Sequence, residues 1–198
     1  MPVRAGFHAG EISISCQCMS GSVPVYFSIV LKCLFIDDNR MDKKIEEKIG
    51  EMLRARRLTM GTAESCTGGY IAHLITRVPG SSDYFYGGVV SYSNEVKHRV
   101  LGVSEESLAQ YGAVSRPVVE QMVAGAIRTL GCDCAVATSG IAGPGGGTPE
   151  KPVGTVWIAA GLKGKVVSEC FHFGTDREEN IRMAARTALG MLAAMLDS

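Results

Sequence analysis

Residues 58–78 read LTMGTAESCTGGYIAHLITRV, and this stretch decides the predicted fold. Leu58–Ala63 predicts a short strand, and Gly69–Val78 predicts a helix whose apolar residues recur at helical spacing. A polar, glycine-ended turn joins them, and Pro79-Gly80 ends the helix. A strand followed at once by a helix is the repeating unit of α/β proteins.

The same alternation of strands and helices continues on both sides of this unit. Upstream, Asp42 is the expected N-cap of a helix that reaches about Arg57. Downstream, Cys132–Ser139 is a continuous run of small residues, typical of a strand covered on both faces. The other predicted elements are strands at 86–92, 153–160 and 165–173, and helices at 94–101, 115–130 and 176–196. The pattern predicts a layered α/β/α domain with a mixed sheet over residues 41–198.

Composition favours a soluble globular domain and excludes several other classes. The 198 residues are 46% hydrophobic and 20% charged, with 20 basic and 20 acidic side chains. This balance argues against a broad nucleic-acid or membrane surface. The seven cysteines are odd in number and form no C-x-x-C pair, so neither a disulfide framework nor a zinc ribbon is indicated. A reducing cytoplasm is the expected setting.

Residues 1–40 differ from the rest of the chain. The apolar run Val23–Ile36 is interrupted by Lys32 and is shorter than the roughly 20 residues that span a bilayer. No small-residue cleavage site follows it, as a secretory signal would require. We expect an N-terminal extension that is poorly ordered or packs peripherally. One interpretation is upstream sequence ahead of a start at Met41.

The turn at Thr62–Gly69 contains the first candidate catalytic residue. Ser65 is a hydroxyl nucleophile at a predicted helix N-terminus, where free amides favour an anion or an oxyanion. Cys66 competes with it, because a helix N-terminus would lower the pKa of the thiol, although a buried filler is its commoner role. Glu64 either caps the turn or holds a substrate hydroxyl, and both interpretations stay open.

Serine needs a base, and the sequence offers a lysine in place of histidine. No G-x-S-x-G motif is present, and none of the four histidines is well placed. Tyr92 ends a predicted strand and Lys97 enters the next helix, so the phenol could pass a proton between Lys97 and Ser65. Spacing alone favours the alternative of a half-buried aromatic residue and a solvated lysine.

The glycine-rich loop at Gly140–Gly147 is neither a Walker loop nor a dinucleotide fingerprint. Its glycines would still allow close approach of a phosphate or a ribose. Arg177 and Arg182 begin the last helix and could supply positive charge for a phosphate. For these arginines alone, a solvated helix face is the commoner role.

Five ordered motifs make the chain similar to a known family. They are AESCTGG at 63–69, YSNEVK at 92–97, GAVS at 112–115, SGIAGPGGG at 139–147 and KPVGTVW at 151–157. They resemble the C-terminal-domain family of the competence-damage protein CinA, whose stand-alone members are nicotinamide-nucleotide amidohydrolases. The resemblance implies a three-layer α/β/α fold and a homo-oligomer, dimeric or larger. It also implies hydrolysis of nicotinamide mononucleotide to nicotinate mononucleotide and ammonia, without a metal or other cofactor.

By position, the resemblance makes Ser65 the nucleophile and Tyr92 with Lys97 its activating pair. It places nucleotide and oxyanion binding at the serine turn and the glycine loop. With Glu64 and Arg177 added, the candidate binding residues are Glu64, Cys66, Thr67, Gly68, Gly69, Ser139, Gly140, Ile141, Ala142, Gly143 and Arg177. Two alternatives stay open, namely a non-catalytic nucleotide- or partner-binding module linked to competence or DNA damage, and amide hydrolysis of a related pyridine compound.

Overall fold

The structure is a computed structural model that describes residues 44–198. Helices and strands alternate over the first half of the described chain, and the second half has two further helices, three consecutive strands and a last helix. The helices are α1 Ile45–Arg56, α2 Tyr70–Thr76, α3 Asn94–Leu101, α4 Glu105–Tyr111, α5 Arg116–Leu130 and α6 Arg177–Asp197. The strands are β1 Met60–Glu64, β2 Phe85–Val90, β3 Cys134–Gly140, β4 Thr155–Leu162 and β5 Lys165–His172.

The strands form one mixed sheet in the order β2-β1-β3-β4-β5. β1 pairs in parallel with both β2 and β3, whereas β3–β4 and β4–β5 are antiparallel. Every residue of β1 is buried, and β3 is buried up to its last residue. The continuous apolar pattern of β3 arises because helices cover both faces of the sheet at this point.

Helices pack on both faces of the sheet and make the predicted three-layer α/β/α fold. α1, α2 and α6 share one apolar cluster with the sheet, in which Leu189 and Leu192 of α6 are fully buried. α5 packs its Val119, Met122 and Val123 stripe on the opposite face, next to α3. Each face of the sheet therefore has its own apolar layer.

Two details of the first half of the chain differ from the sequence prediction. α1 begins at Ile45 with Lys44 at its N-cap, and the predicted cap Asp42 and the extension at 1–40 lie outside the described residues. Helix α4 was not predicted, because its seven residues bury only Ser107 and show no apolar stripe. Its signal is the Ser104 hydroxyl, which caps the amide of Ser107. None of the described helices has the length and hydropathy needed to cross a bilayer.

Candidate active site

A cavity lies at the carboxyl ends of the parallel strands. Open α/β sheets usually bind their ligands at this edge. The cavity has a volume of about 250 Å³. Ser65 follows the end of β1, and Ser139 and Gly140 end β3. The cavity is lined by Ser65, Cys66, Tyr92, Asn94, Lys97, Ala113, Val114, Ser139, Gly140, Ala142 and Arg177.

Lys97 and Ser65 meet directly inside this cavity. The Ser93 hydroxyl caps α3 by accepting from the Val96 amide, and this places Lys97 in the first turn of the helix. The lysine is only 1% exposed. Its Nζ donates to Ser65 Oγ at 3.0 Å and to the Ser91 carbonyl at 2.7 Å. The predicted convergence of residues 65 and 97 is therefore present, and the alternative of a solvated lysine is wrong.

Burial increases the fraction of the Lys97 amine that is neutral at a given pH and so available to act as a base. Removing the ammonium from water lowers the pKa of Lys97 below its usual value, although the nearby Cys66 thiol acts slightly in the other direction. Within residues 44–198, no carboxylate forms an ion pair with Lys97. The amine therefore loses its proton at a lower pH than an ordinary lysine, and the neutral amine can accept one from the Ser65 hydroxyl.

Tyr92 lines the cavity but does not stand between the other two side chains. It is 66% exposed, and its hydroxyl accepts a long hydrogen bond of 3.5 Å from Arg177 Nη2. The predicted phenol bridge from Lys97 to Ser65 is therefore corrected, because the amine reaches the alcohol without an intermediary. Tyr92 keeps a position from which it can contact a molecule in the cavity.

Glu64 settles the open question about the serine turn, because its buried carboxylate caps α2 from within. One oxygen accepts from the amides of Gly69 and Ile71 and from the Thr67 hydroxyl, and the other accepts from the Ala72 amide. Gly68 and Gly69 have φ values of 60° and 99°, which the tight return of the chain requires.

The same contacts correct four predicted binding residues. Of the turn amides expected to bind an external anion, that of Gly69 donates to the Glu64 carboxylate and that of Gly68 donates to the Ser65 carbonyl. Thr67 is buried and shares its hydroxyl with Glu64 and Thr138, and neither it nor the two glycines lines the cavity. Glu64, Thr67, Gly68 and Gly69 therefore shape the turn and do not line the cavity.

We expect Glu64→Gln to lower the free energy of unfolding by about 2 kcal/mol, the scale of a lost hydrogen bond to a charged group. The glutamine keeps one acceptor oxygen and brings an NH2 group against amides that need acceptors. Urea unfolding of the variant checks the value. Glu106→Gln is the matched control at an exposed position of α4 and should change the free energy by less than about 0.5 kcal/mol. An unchanged unfolding midpoint in Glu64→Gln would contradict the capping role.

Cys66 lines the cavity next to the nucleophile, yet its thiol is held in the protonated form. Burial is the main cause that raises the pKa of Cys66 to about 12, and the nearby Glu64 carboxylate acts in the same direction. The sequence predicted a lowered pKa from the helix N-terminus. That effect fails because α2 is short and its first amides already face the Glu64 carboxylate. Of these two adjacent residues, Ser65 is the one whose side chain forms a hydrogen bond with the Lys97 amine.

The glycine loop contributes part of the cavity, although fewer of its residues than predicted. Ser139, Gly140 and Ala142 line the cavity, whereas Ile141 and Gly143 do not. The Ile141 amide donates to the Thr155 carbonyl and continues the sheet pairing. These two residues are corrected from binding residues to supports of the loop.

Arg177 is the arginine of the last helix that reaches the cavity. Its Nη1 donates to the Gly143 carbonyl at 2.7 Å, and its side chain lines the opening beside Tyr92. Arg182 does not line the cavity and pairs with Glu179 on the exposed helix surface. Both arginines are exposed, but only Arg177 also lines the cavity.

Three lining residues were missed by the analysis of the sequence, namely Asn94, Ala113 and Val114. Asn94 lies within the YSNEVK motif, and the other two lie within GAVS. The signal was present in these motifs, but small apolar residues and an asparagine at a helix start suggest no chemistry alone. No histidine of the described residues lines the cavity.

Comparison with known proteins identifies the family. The family model for the CinA C-terminal domain matches residues 42–196. The nicotinamide-nucleotide amidohydrolase PncC of Escherichia coli (strain K12) is 50% identical over 150 residues, which cover 75% of this chain and 91% of that protein. A CinA-like protein of Chloroherpeton thalassium is 48% identical over 161 residues, and the match spans 79% of this chain but only 38% of that protein.

A solved structure supports the same assignment. The competence/damage inducible protein CihA from Agrobacterium tumefaciens superposes with a TM-score of 0.75 at 41% identity, covering 81% of this chain and 99% of that chain. Family model, sequence identity and fold agree over the same part of the chain. The chain therefore belongs to the CinA C-terminal domain family.

Proposed function

We propose that this protein hydrolyses the carboxamide of nicotinamide mononucleotide to nicotinate mononucleotide and ammonia. The observation that carries the proposal is the buried contact of 3.0 Å between Lys97 Nζ and Ser65 Oγ. A base and a hydroxyl nucleophile in contact inside a cavity support acyl transfer. The half-identical PncC of Escherichia coli, a nicotinamide-nucleotide amidohydrolase, supports the substrate.

In the first half of the reaction, the neutral amine of Lys97 takes the proton of the Ser65 hydroxyl. The serine oxygen then attacks the carboxamide carbon and forms a tetrahedral oxyanion. The Cys66 amide directly follows the nucleophile, and no oxygen of the described residues accepts its proton. We assign it as an oxyanion donor, a role whose loss typically costs about a hundredfold or more in turnover.

In the second half, the C–N bond breaks and the Lys97 ammonium gives its proton to the departing nitrogen, which leaves as ammonia. Lys97, now neutral again, takes a proton from a water molecule that attacks the ester carbon. The Ser65–acyl bond breaks, the serine oxygen recovers the proton from Lys97, and nicotinate mononucleotide leaves. One residue therefore serves as base and acid in both halves.

Arg177 and Tyr92 form the polar side of the cavity opening and are the proposed contacts of the nucleotide. A guanidinium can bind a phosphate through parallel hydrogen bonds, and the long Arg177–Tyr92 contact leaves both groups free to rearrange around it. The phenol, which lines the cavity with Ser65, can also help to protonate the leaving nitrogen. Assembly into a homo-oligomer and a cytoplasmic location stay predictions.

An ammonia-release assay on the purified chain tests the proposal. The assay uses nicotinamide mononucleotide, with nicotinamide and nicotinamide riboside as comparison substrates. Ammonia from the mononucleotide, with little from the two smaller compounds, is the expected result. Preference for a smaller compound would instead favour hydrolysis of a related pyridine amide. No ammonia from any of them would favour the non-catalytic binding module.

The pH dependence of kcat/KM follows from the Lys97 pKa. The reaction needs the neutral amine, so activity should rise with pH and level off above the pKa of Lys97. Burial lowers that pKa, so the midpoint should fall clearly below 10.5, the ordinary value for lysine. Initial rates between pH 5 and 10, measured at constant ionic strength, check the midpoint. Activity that falls steadily over this range would contradict a lysine base.

A further inference from the structure

The motif KPVGTVW at 151–157 begins with a lysine that has no part in the chemistry above. Lys151 follows an exposed loop, and two hydrogen bonds with Thr148 fix its backbone. The Thr148 amide donates to the Lys151 carbonyl, and the Lys151 amide donates to the Thr148 hydroxyl. Its Nζ donates to the Tyr111 carbonyl at 3.0 Å and to the Val114 carbonyl at 2.8 Å. Among residues 44–198, no acidic side chain pairs with this ammonium.

Two serines bind the carbonyls between these two. Ser115 Oγ donates to the Gly112 carbonyl at 2.8 Å, and Ser139 Oγ donates to the Ala113 carbonyl at 2.7 Å. The consecutive carbonyls of residues 111–114 are thus all held by side chains. Ser139, expected to bind substrate, instead uses its hydroxyl to hold the chain that forms the cavity wall.

These contacts matter because the segment has no regular structure of its own. α4 ends at Tyr111 and α5 begins at Arg116, and the residues between them lie in no helix or strand; only the Gly112 amide and the Ser115 carbonyl join the hydrogen bonds of the flanking helices. Ala113 and Val114 nevertheless line the cavity. Their amides donate to no oxygen in the described part of the chain. The cavity wall therefore depends on side chains from elsewhere for its position.

We propose that Lys151 is a positioning residue that fixes the Ala113–Val114 wall, against which the substrate is held beside Ser65. Lys151 does not line the cavity and acts only through the carbonyls it binds. Charge-assisted hydrogen bonds are about twice as strong as neutral ones, which suits a single side chain holding two points of a loop. This inference rests on the proposed amidase activity, because the substrate supplies the readout.

The test compares Lys151→Met with the wild type in the ammonia-release assay on nicotinamide mononucleotide. A displaced wall weakens binding of substrate and transition state together, so KM should rise about tenfold while kcat stays within about threefold. Lys151→Arg keeps the charge and the donors and should recover most of the KM. Lys165→Met removes an exposed lysine at the opposite end of the sheet and should change neither constant.

Ser115→Ala provides an independent variant if Lys151→Met does not fold. It removes the bond to the Gly112 carbonyl, and Ser115 does not line the cavity, so KM should rise about threefold with kcat preserved. An unchanged KM in folded Lys151→Met and in Ser115→Ala, or a fall in kcat alone, would overturn the inference. Either result with an active wild type leaves the amidase proposal standing. An inactive wild type refutes that proposal itself.

Discussion

Ser65→Ala should reduce ammonia release from nicotinamide mononucleotide by about 10⁴-fold or more, because loss of a nucleophile removes the whole covalent route. The contact with Lys97 Nζ is the side-chain interaction that the substitution deletes. The Ser65 amide still donates to the Thr138 carbonyl, so the turn keeps its backbone contacts. The thermal midpoint should therefore stay within a few degrees of the wild type.

Cys66→Ala is the matched control, since it removes the side chain of the next residue in the same cavity. Its thiol, with a pKa raised to about 12, is not expected to react near neutrality. Turnover should fall by no more than about tenfold, from altered packing beside the nucleophile. Loss of activity in Cys66→Ala together with normal turnover in Ser65→Ala would move the nucleophile by one residue.

Lys97→Arg should lower kcat/KM by about a thousandfold while preserving the positive charge. A guanidinium stays protonated in proteins and cannot take the Ser65 proton, whereas it can still donate hydrogen bonds. The size of the loss is that of general base catalysis by a positioned side chain. Steady-state kinetics measure it, and substrate binding followed by calorimetry should change far less than kcat.

Lys97→Met separates the base from its structural role. The variant removes a poorly solvated amine but leaves the Ser91 carbonyl without its donor, so these effects oppose each other. We expect the free energy of unfolding to stay within about 1 kcal/mol of the wild type, with an activity as low as that of Lys97→Arg. Wild-type turnover in Lys97→Arg would show that the charge, and not the base, is what the reaction needs.

Much of the fold could be predicted because periodicity and turn residues agree along the chain. Cys134–Gly140 carries a continuous apolar pattern since helices cover both of its faces, and β1 with α2 follows the strand–turn–helix pattern closely. Helix α4 was not predicted because it buries one serine and has no apolar stripe. Its cap at Ser104 is a local signal that is weak beside hydrophobic periodicity.

The sequence predicted the main residues of the site, but it did not predict which side chains would occupy the backbone amides of the serine turn. The positions of the strand ends and the family motifs predicted that residues 65 and 97 would lie close together. The direct contact between them, without Tyr92, depends on the conformation of the buried lysine side chain. The sequence also could not show that Glu64 would occupy the amides of α2. That carboxylate takes the amides at the start of α2 and leaves the Cys66 amide, beside Ser65, without an acceptor among the described residues.

The most direct test of the central claim is mass spectrometry of the protein quenched during turnover of nicotinamide mononucleotide, followed by peptide mapping. The Lys97–Ser65 contact predicts an acyl adduct on the hydroxyl of Ser65, and this adduct should be absent from the Lys97→Arg variant. An adduct on the Cys66 thiol, or the same Ser65 adduct at wild-type rate in Lys97→Arg, would contradict the account.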